Sequence, residues 1–354
     1  MKEITRQKFS KLQESMTKAY GVQQTKSAFA VSEPMETRLN SAIQDSSEFL
    51  QRISMLPVTD RKGQAVTLGI YSPLAKRTDT SSKDRTTTPM TPPDGLEYEC
   101  KLTEFDVSFG YDLLDAWARF DNFMDLYMQQ VYRRIALDRI LVGWRGESTA
   151  VETNSGTNTN LEDVNKGWIH LLKTHKADHY LTESTPSSGK ITLGASGDYK
   201  NLDALAYDIY SMIPDAQRTG GEVAIVGRHL VANDMGKALA AYAQRPTEKS
   251  QVMVLDKAYG GLPSITVPGF PDKGVLVTDT ENLALYFQAG KTRRQMADYP
   301  RRNRVEDFIS SNDAYMIENL HGIAGLEADN VEVEGSTLKA ASIAADNAAE
   351  NTGD

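Results

Sequence analysis

A chain of 354 residues has room for about two domains, and 40% apolar with 25% charged residues describes an ordinary soluble globular protein. A net charge of −9 excludes a protein whose whole surface grips nucleic acid, while leaving room for a local basic patch. The single cysteine, Cys100, excludes an internal disulfide and suits a reducing compartment, and no apolar run reaches the 18 or so residues that span a bilayer.

Residues 1–29 carry no signal-peptide pattern, because charged and polar residues interrupt every apolar run. Phe9, Leu12, Met16 and Tyr20 predict a short amphipathic helix that stops at Gly21, and 21–26 reads as a linker. Ser32, with Pro34 in the first turn, opens a second helix. Leu39, Ile43, Leu50 and Ile53 line one face of it, and Pro57 is expected to end it. From residue 58 the period changes. Val66, Leu68 and Ile70 alternate as a half-buried strand does, and a polar stretch at 72–94 carries Lys76, Arg77, Asp79, Lys83, Asp84 and Arg85. Tyr98, Cys100 and Leu102 alternate again. Phe105, Val107 and Phe109 do so one residue out of phase, which suggests a bulge near Thr103. The whole reads as a hairpin with a loop of more than 20 residues. Loops that long are functional or disordered, and a lone hairpin is marginal in water, so this arm is expected to rest on something else.

Residues 111–142 contain no Gly and no Pro and lie between Gly110 and Gly143. Leu113, Trp117, Phe120, Met124, Tyr127, Val131 and Ile135 recur at helix spacing, with Asp residues in the first half and Arg residues in the second. The expected element is one spine helix of roughly 48 Å, at about 1.5 Å per residue. A polar loop then covers 147–160. Helices are predicted at 164–179, 202–213 and 229–244. Strands are predicted at 191–193, 223–226, 252–255, 264–267, 274–278 and 283–288, with a final pair at 305–309 and 314–317. From Ala328 the composition is that of a disordered tail. Helices and strands mix without βαβ alternation, so the class is α+β.

No pattern of residues supports catalysis. His175 and His179 are a helical turn apart, but Lys176 stands where a zinc protease places Glu, so a solvated helix end explains them better than a metal site. Cys100 reads as a buried, inert thiol. P-loop, G-x-G-x-x-G and G-x-S-x-G motifs are absent. Arg293, Arg294, Arg301, Arg302 and Arg304 crowd what reads as a polar connection. Ion pairing with the acidic excess accounts for them better than phosphate contact, since Tyr299 is the lone interleaved aromatic. Two rival classes stay open from these residues alone. One is a metal- or carboxylate-dependent enzyme, and the other a nucleic-acid-binding protein using 293–304.

The order of parts is N-terminal arm, extended hairpin, spine helix, mixed domain and return to strands. It resembles the Hong Kong 97-like capsid fold of tailed phages. SSEFLQRI at 46–53, LPV at 56–58, TDT at 78–80, YEC at 98–100, LDAWAR at 114–119, GWRG at 143–146 and DVNKGW at 163–168 are similar to the major capsid proteins of peduovirus-type temperate phages. So are LDAL at 202–205, IVGRHL at 225–230, LP and VP at 262 and 267, NLALY at 282–286 and NRVE at 303–306. The resemblance implies an N-arm at 1–57, an extended loop at 58–109, the spine helix of a peripheral domain at 110–146, an axial domain at 147–280, a return to the peripheral domain at 281–327 and a flexible tail at 328–354.

The implied function is a self-assembling icosahedral head shell of hexamers and pentamers around double-stranded DNA held without sequence specificity. It would work without cofactor, metal, membrane or catalytic residue. Scaffold, maturation protease and portal are the implied partners, with assembly in the host cytoplasm. Lys76, Arg77, Asp79, Lys83, Asp84 and Arg85 would contact a neighbour. Leu113, Trp117, Phe120, Met124, Val131 and Ile135 would form the spine's core face. Maturation cleavage is expected in the region Phe29, Ala30, Val31 and Ser32. No Lys–Asn–Glu set matches an isopeptide cross-link.

Overall fold

The computed structural model describes residues 2–65, 75–87, 96–117, 120, 122–241 and 258–334. The strand Arg304–Ile317 is the axis of the largest sheet among the described residues. Along one edge it pairs antiparallel with Arg293–Tyr299 and then Leu283–Gln288. Along the other it takes Lys101–Glu104 and Val107–Gly110. Ser54–Val58 adds in parallel beside Leu283–Gln288, and Phe29–Ala30 adds antiparallel beside Arg293–Tyr299. Pro57, expected to stop a helix, therefore lies in an edge strand, where its missing N–H costs no ladder bond. The helical stretch before it is two helices, Glu33–Asp45 and Glu48–Arg52.

Arg304–Ile317 is one strand where the sequence predicts two. Ser310, Ser311, Asn312 and Asp313 look like a turn, yet Ser311 and Asp313 are buried beneath the spine. Arg139 reaches down from that helix. Its Nε lies 3.0 Å from Asp313 Oδ2 and its Nη1 2.9 Å from Asn40 Oδ1. A polar run in a strand core is tolerated when each group finds such a partner.

The expected bulge near Thr103 does not occur. Glu104 pairs with Ser310 and Val107 with Asp307, so both strands share one register. The phase changes instead at Cys100, where the chain leaves its partner Lys62–Gln64 and joins the large sheet. Cys100 is buried and Leu102 turns outward.

The spine is broken rather than continuous. Tyr111–Trp117 and Phe123–Arg145 are separate helices, the second starting at Asn122, whose C=O accepts from Leu126 N–H. Asp125 in its first turn and Arg145 in its last suit the dipole. At its exit a Cβ on Gly143 would lie 2.3 Å from the Trp168 ring. The missing side chain lets the spine close on the helix Trp168–His175. There Trp144, Trp168, Phe49, Phe270 and Tyr315 build an aromatic cluster with centroids 4.8–6.2 Å apart. Trp168 Nε1 donates to Ala284 C=O at 3.1 Å, so its indole is buried with its polar atom satisfied.

The second sheet runs Ala258–Tyr259, Leu262–Ile265, Glu222–Val226, Val275–Asp279, Ile323–Leu326 and Tyr180–Leu181 in spatial order. The helix Leu202–Ser211, capped by Asn201, packs Leu205, Ala206 and Ile209 against it. Ile323–Leu326 belongs here, so the chain re-enters the second sheet after completing the first. Residues 331–333, placed in a tail by composition, form a strand parallel to Ile191–Leu193. The strand expected at 252–255 and the tail from 335 on lie outside the described residues.

Candidate assembly surfaces

Lys62–Gln64 pairs antiparallel with Glu97–Glu99. Glu99 sits 2.9 Å from Lys101 Nζ and 3.1 Å from Lys62 Nζ. Hydrogen bonding from Lys101 first, and from Lys62, holds its carboxyl below the usual range against the opposing effect of burial. Lys76, Arg77, Asp79, Lys83, Asp84 and Arg85 are all exposed. Lys76 Nζ donates to Thr86 Oγ1 at 2.9 Å. Asp79 accepts from Ser81 Oγ and N–H, which lowers its carboxyl's pKa. The six charged groups thus meet water, with local turn bonds at their base. The strand predicted through Val66, Leu68 and Ile70 lies outside the described residues.

The N-terminal arm is bound more tightly than its composition suggests. Phe29 and Ala30 pair with Arg294 and Arg293, and Val31 N–H donates to Thr292 C=O at 2.9 Å. Val31 is buried, while Ala30 and Ser32 are exposed. The more exposed residues stand earlier, at Gln23, Gln24 and 26–28. Glu36 then acts as a clasp. Its buried carboxylate accepts from Gly290 N–H at 2.6 Å, Thr292 N–H at 3.0 Å and the Thr292 hydroxyl. Sequence reading passed over this residue, although a signal was present. Glu36 and Asn40 fall on the same helical stripe as Leu39 and Ile43, an unusual place for polar groups unless they are satisfied.

The spine's assigned core face divides at the break. Val131 and Ile135 are 4% and 3% exposed. Leu113, Trp117 and Phe120 are 52%, 40% and 51% exposed, so these three are not core residues of the subunit. The side chain of Met124 lies outside the described residues. The apolar spacing runs through 118–122 as though one helix continued, but the new start at Asn122 resets its phase. Leu114 is buried before the break, and Ala136, Arg139, Ile140, Val142 and Trp144 join Val131 and Ile135 as buried residues after it. Asp121-Asn122, a cap-forming pair inside the stripe, was the available warning.

The arginine run is a β-hairpin rather than a loose connection. Arg294 is fully buried against Asp307, 2.7 Å away, with Tyr20 OH at 2.9 Å. Burial opposes its charge, but the Asp307 carboxylate outweighs that and raises its pKa. Arg304 pairs with Glu306 at 2.6 Å, while Arg301 and Arg302 are exposed at the tip, where Asn303 adopts φ of 50°. His175 is the last residue of its helix and exposed. His179 lies beyond that end, buried, with Nδ1 2.9 Å from Ile323 C=O. Among the described residues no group of three or more His, Cys, Asp and Glu is placed to hold a metal ion.

These parts recur together in known proteins. The family model described as "Phage major capsid protein, P2 family" matches residues 8–328. This chain belongs to the P2 family of phage major capsid proteins. The capsid proteins of Escherichia phage P2 are 30% identical to it over 345 residues, 94% of this chain and 96% of theirs. The major capsid protein of Serratia phage KSP20 is 30% identical over 309 residues, 84% of this chain and 88% of its own. A solved chain of the satellite phage P4 procapsid, a structure that includes the size determination (Sid) protein, superposes with a TM-score of 0.76 at 29% identity. That match covers 94% of this chain and 99% of the other.

As a P2-family capsid protein with the Hong Kong 97-like fold, the chain is a structural, shell-forming component of the virion and not an enzyme. It therefore assembles with other copies of itself. Among the described residues no helix is long and apolar enough to cross a membrane.

Proposed function

We propose that this capsid protein builds an icosahedral head shell of hexamers and pentamers around double-stranded DNA, in the host cytoplasm, with a scaffold, a maturation protease and a portal. Residues 1–57 act as the arm, 58–109 as the extended loop and 147–280 as the bulk of the axial domain. The observation that carries this reading is the exposed, doubly charged segment at 76–85. Among the described residues Lys76, Arg77, Asp79, Lys83, Asp84 and Arg85 are exposed, so their worth lies in contacts to the next subunit. Each exposed pair adds only about 0–1 kcal/mol, but the contact repeats on every copy and a subunit held at several sites leaves slowly. A net charge of −9 suits a shell that encloses DNA without gripping it.

Shortening 76–94 to a tight turn is expected to leave the subunit's melting temperature nearly unchanged and to abolish stable shells by sedimentation. Normal shells of normal heat resistance would refute the inter-subunit role. Trimming within 29–32 is checked by the intact mass of chains from mature particles, which should lack roughly 25–35 residues, the span of the exposed junction and the paired strand after it. Chains starting at Met1 throughout would refute it.

A further inference from the structure

The N-terminal helix Glu3–Tyr20 stands apart from both larger cores. Phe9, Leu12 and Met16 seat it on Phe109, Leu114, Met296 and Val305. These seat residues belong to the sheet and to the short helix Tyr111–Trp117, which are hydrogen-bonded without it. Among its polar moorings, Lys2 N–H and Thr5 Oγ1 donate to Asp115, Lys8 Nζ to Phe120 C=O and Gln13 Nε2 to Met296 C=O at 3.5 Å, while Tyr20 OH accepts from Arg294. A cleft of about 360 Å³ opens along its flank, where Leu12, Met16 and Tyr20 face Leu39, Met128 and Tyr132 without filling the space. The chain link to the rest of the subunit is 23–28, exposed except at Thr25, whose C=O accepts from Met296 N–H at 2.9 Å.

Departure of the helix would change the surface beneath it in two ways. The first is continuity. Leu114 of the seat is flanked on its own helix by Leu113 and Trp117, already exposed, so removing the cover joins two apolar patches into one. The second is charge. Residues 2–20 carry Lys2, Arg6, Lys8, Lys11 and Lys18 against Glu3 and Glu14. The ground they cover carries Asp115, which would lose its two donors, and borders Asp298, which accepts from the hydroxyl of Tyr111 beside the seat. A replacement must be apolar and basic. The chain itself displays such a surface, the tip with Arg301 and Arg302 beside the partly exposed Tyr299.

We propose that the helix Glu3–Tyr20 is a removable cover, and that a second copy of this chain takes its seat once the cover is gone. The inference rests on the reading that the N-terminal segment is trimmed, and it makes trimming the event that uncovers an inter-subunit contact. The contact is then unavailable to the precursor and forms in the cut shell, so its formation comes after assembly in time.

The test separates this from trimming itself. A site-specific protease sequence is inserted between Ser27 and Ala28 of the full chain, with Phe109→benzoylphenylalanine as a photo-crosslinker in the seat. Irradiating uncut particles should give products of single-chain mass, with the crosslink falling in 2–20. Irradiating after the cut should give a two-chain product at least several-fold more abundant. Trp117→benzoylphenylalanine, at an exposed position, should show the same rise and serves if the first variant does not fold. Asp115→Lys in the cut chain should lower the two-chain yield several-fold. No two-chain product after the cut, an equal yield before it, or no effect of Asp115→Lys overturns the proposal. Because this cut is engineered, natural particles with intact N-termini would overturn the trimming reading alone.

Discussion

Removing the Asp313 carboxylate should cost the subunit more than any surface change in the same sheet. Arg139 and Asp313 are 3% and 1% exposed. The guanidinium makes two bonds to the carboxylate, at 3.0 and 3.4 Å, one to Asn40 at 2.9 Å and one to Ser311 at 3.3 Å. Asp313→Ala deletes both charged bonds and leaves a buried cation with two neutral acceptors. Breaking one side of a buried pair costs about 3–5 kcal/mol. At about 1.4 kcal/mol per decade, that is roughly a hundredfold or more in the folding equilibrium. Glu332→Ala, which breaks the exposed Lys190–Glu332 pair, is the control at about 0–1 kcal/mol. Arg139→Met with Asp313→Leu removes both charges and should recover most of the loss. Urea unfolding of unassembled subunits, monitored by circular dichroism and extrapolated to water, reads all three. A loss under about 1 kcal/mol for Asp313→Ala, or a double variant weaker than the single, would refute the argument that this pair locks spine to sheet.

Trp117→Ala should lower subunit stability by under about 1 kcal/mol, as for a surface residue, while reducing shell yield. A loss of about 3–5 kcal/mol, typical of a buried Trp, would return that side chain to the core. Glu36→Ala strands the N–H groups of Gly290 and Thr292, at about 1–3 kcal/mol for each group left without a partner. Amide exchange at Thr292 and protease nicking near 29–32 should both accelerate, and unchanged exchange would show that another group holds the arm. Burial pushes the Cys100 thiol up to about 12 from an ordinary 9.0. Iodoacetamide at pH 8 should therefore spare it in the folded subunit and label it in urea. Because the folded value is the higher one, its contribution to stability is whole below about pH 9 and is lost as pH climbs toward 12. Cys100→Ala should flatten that part of the pH profile, and an unchanged profile would argue against it.

Apolar period was a good guide where one face of one element meets the core. Leu205 and Ile209 of the helix Leu202–Ser211 and the run Leu283–Gln288 are buried as their spacing predicts. It failed where polar groups are satisfied at long range. Asp313 looks like a turn residue until Arg139, far away in sequence, is seen beside it. It failed again where a break resets phase, so Leu113, Trp117 and Phe120 were assigned to a face that the subunit does not bury. The exposure of the charged segment at 76–85 follows from its composition, since a polar insertion that long has little apolar area to bury.

The large sheet also dictates an order of events on the ribosome. Ser54–Val58 has its partner at Leu283–Gln288, and Phe29–Ala30 has its own at Arg293–Tyr299. More than 200 residues must be synthesised between the earlier strands and their neighbours. At about 5–20 residues per second the early strands wait on the order of 10–45 s with no ladder to join. Meanwhile Leu39, Ile43, Phe49 and Leu50, all destined for the main core, have emerged without the strands they will pack on. Translation speed through 59–282 sets how long that sticky N-terminal segment is on display. Slowing it with rare codons there, in a host short of holdase chaperones, should raise insoluble chain without altering a single residue of the shell.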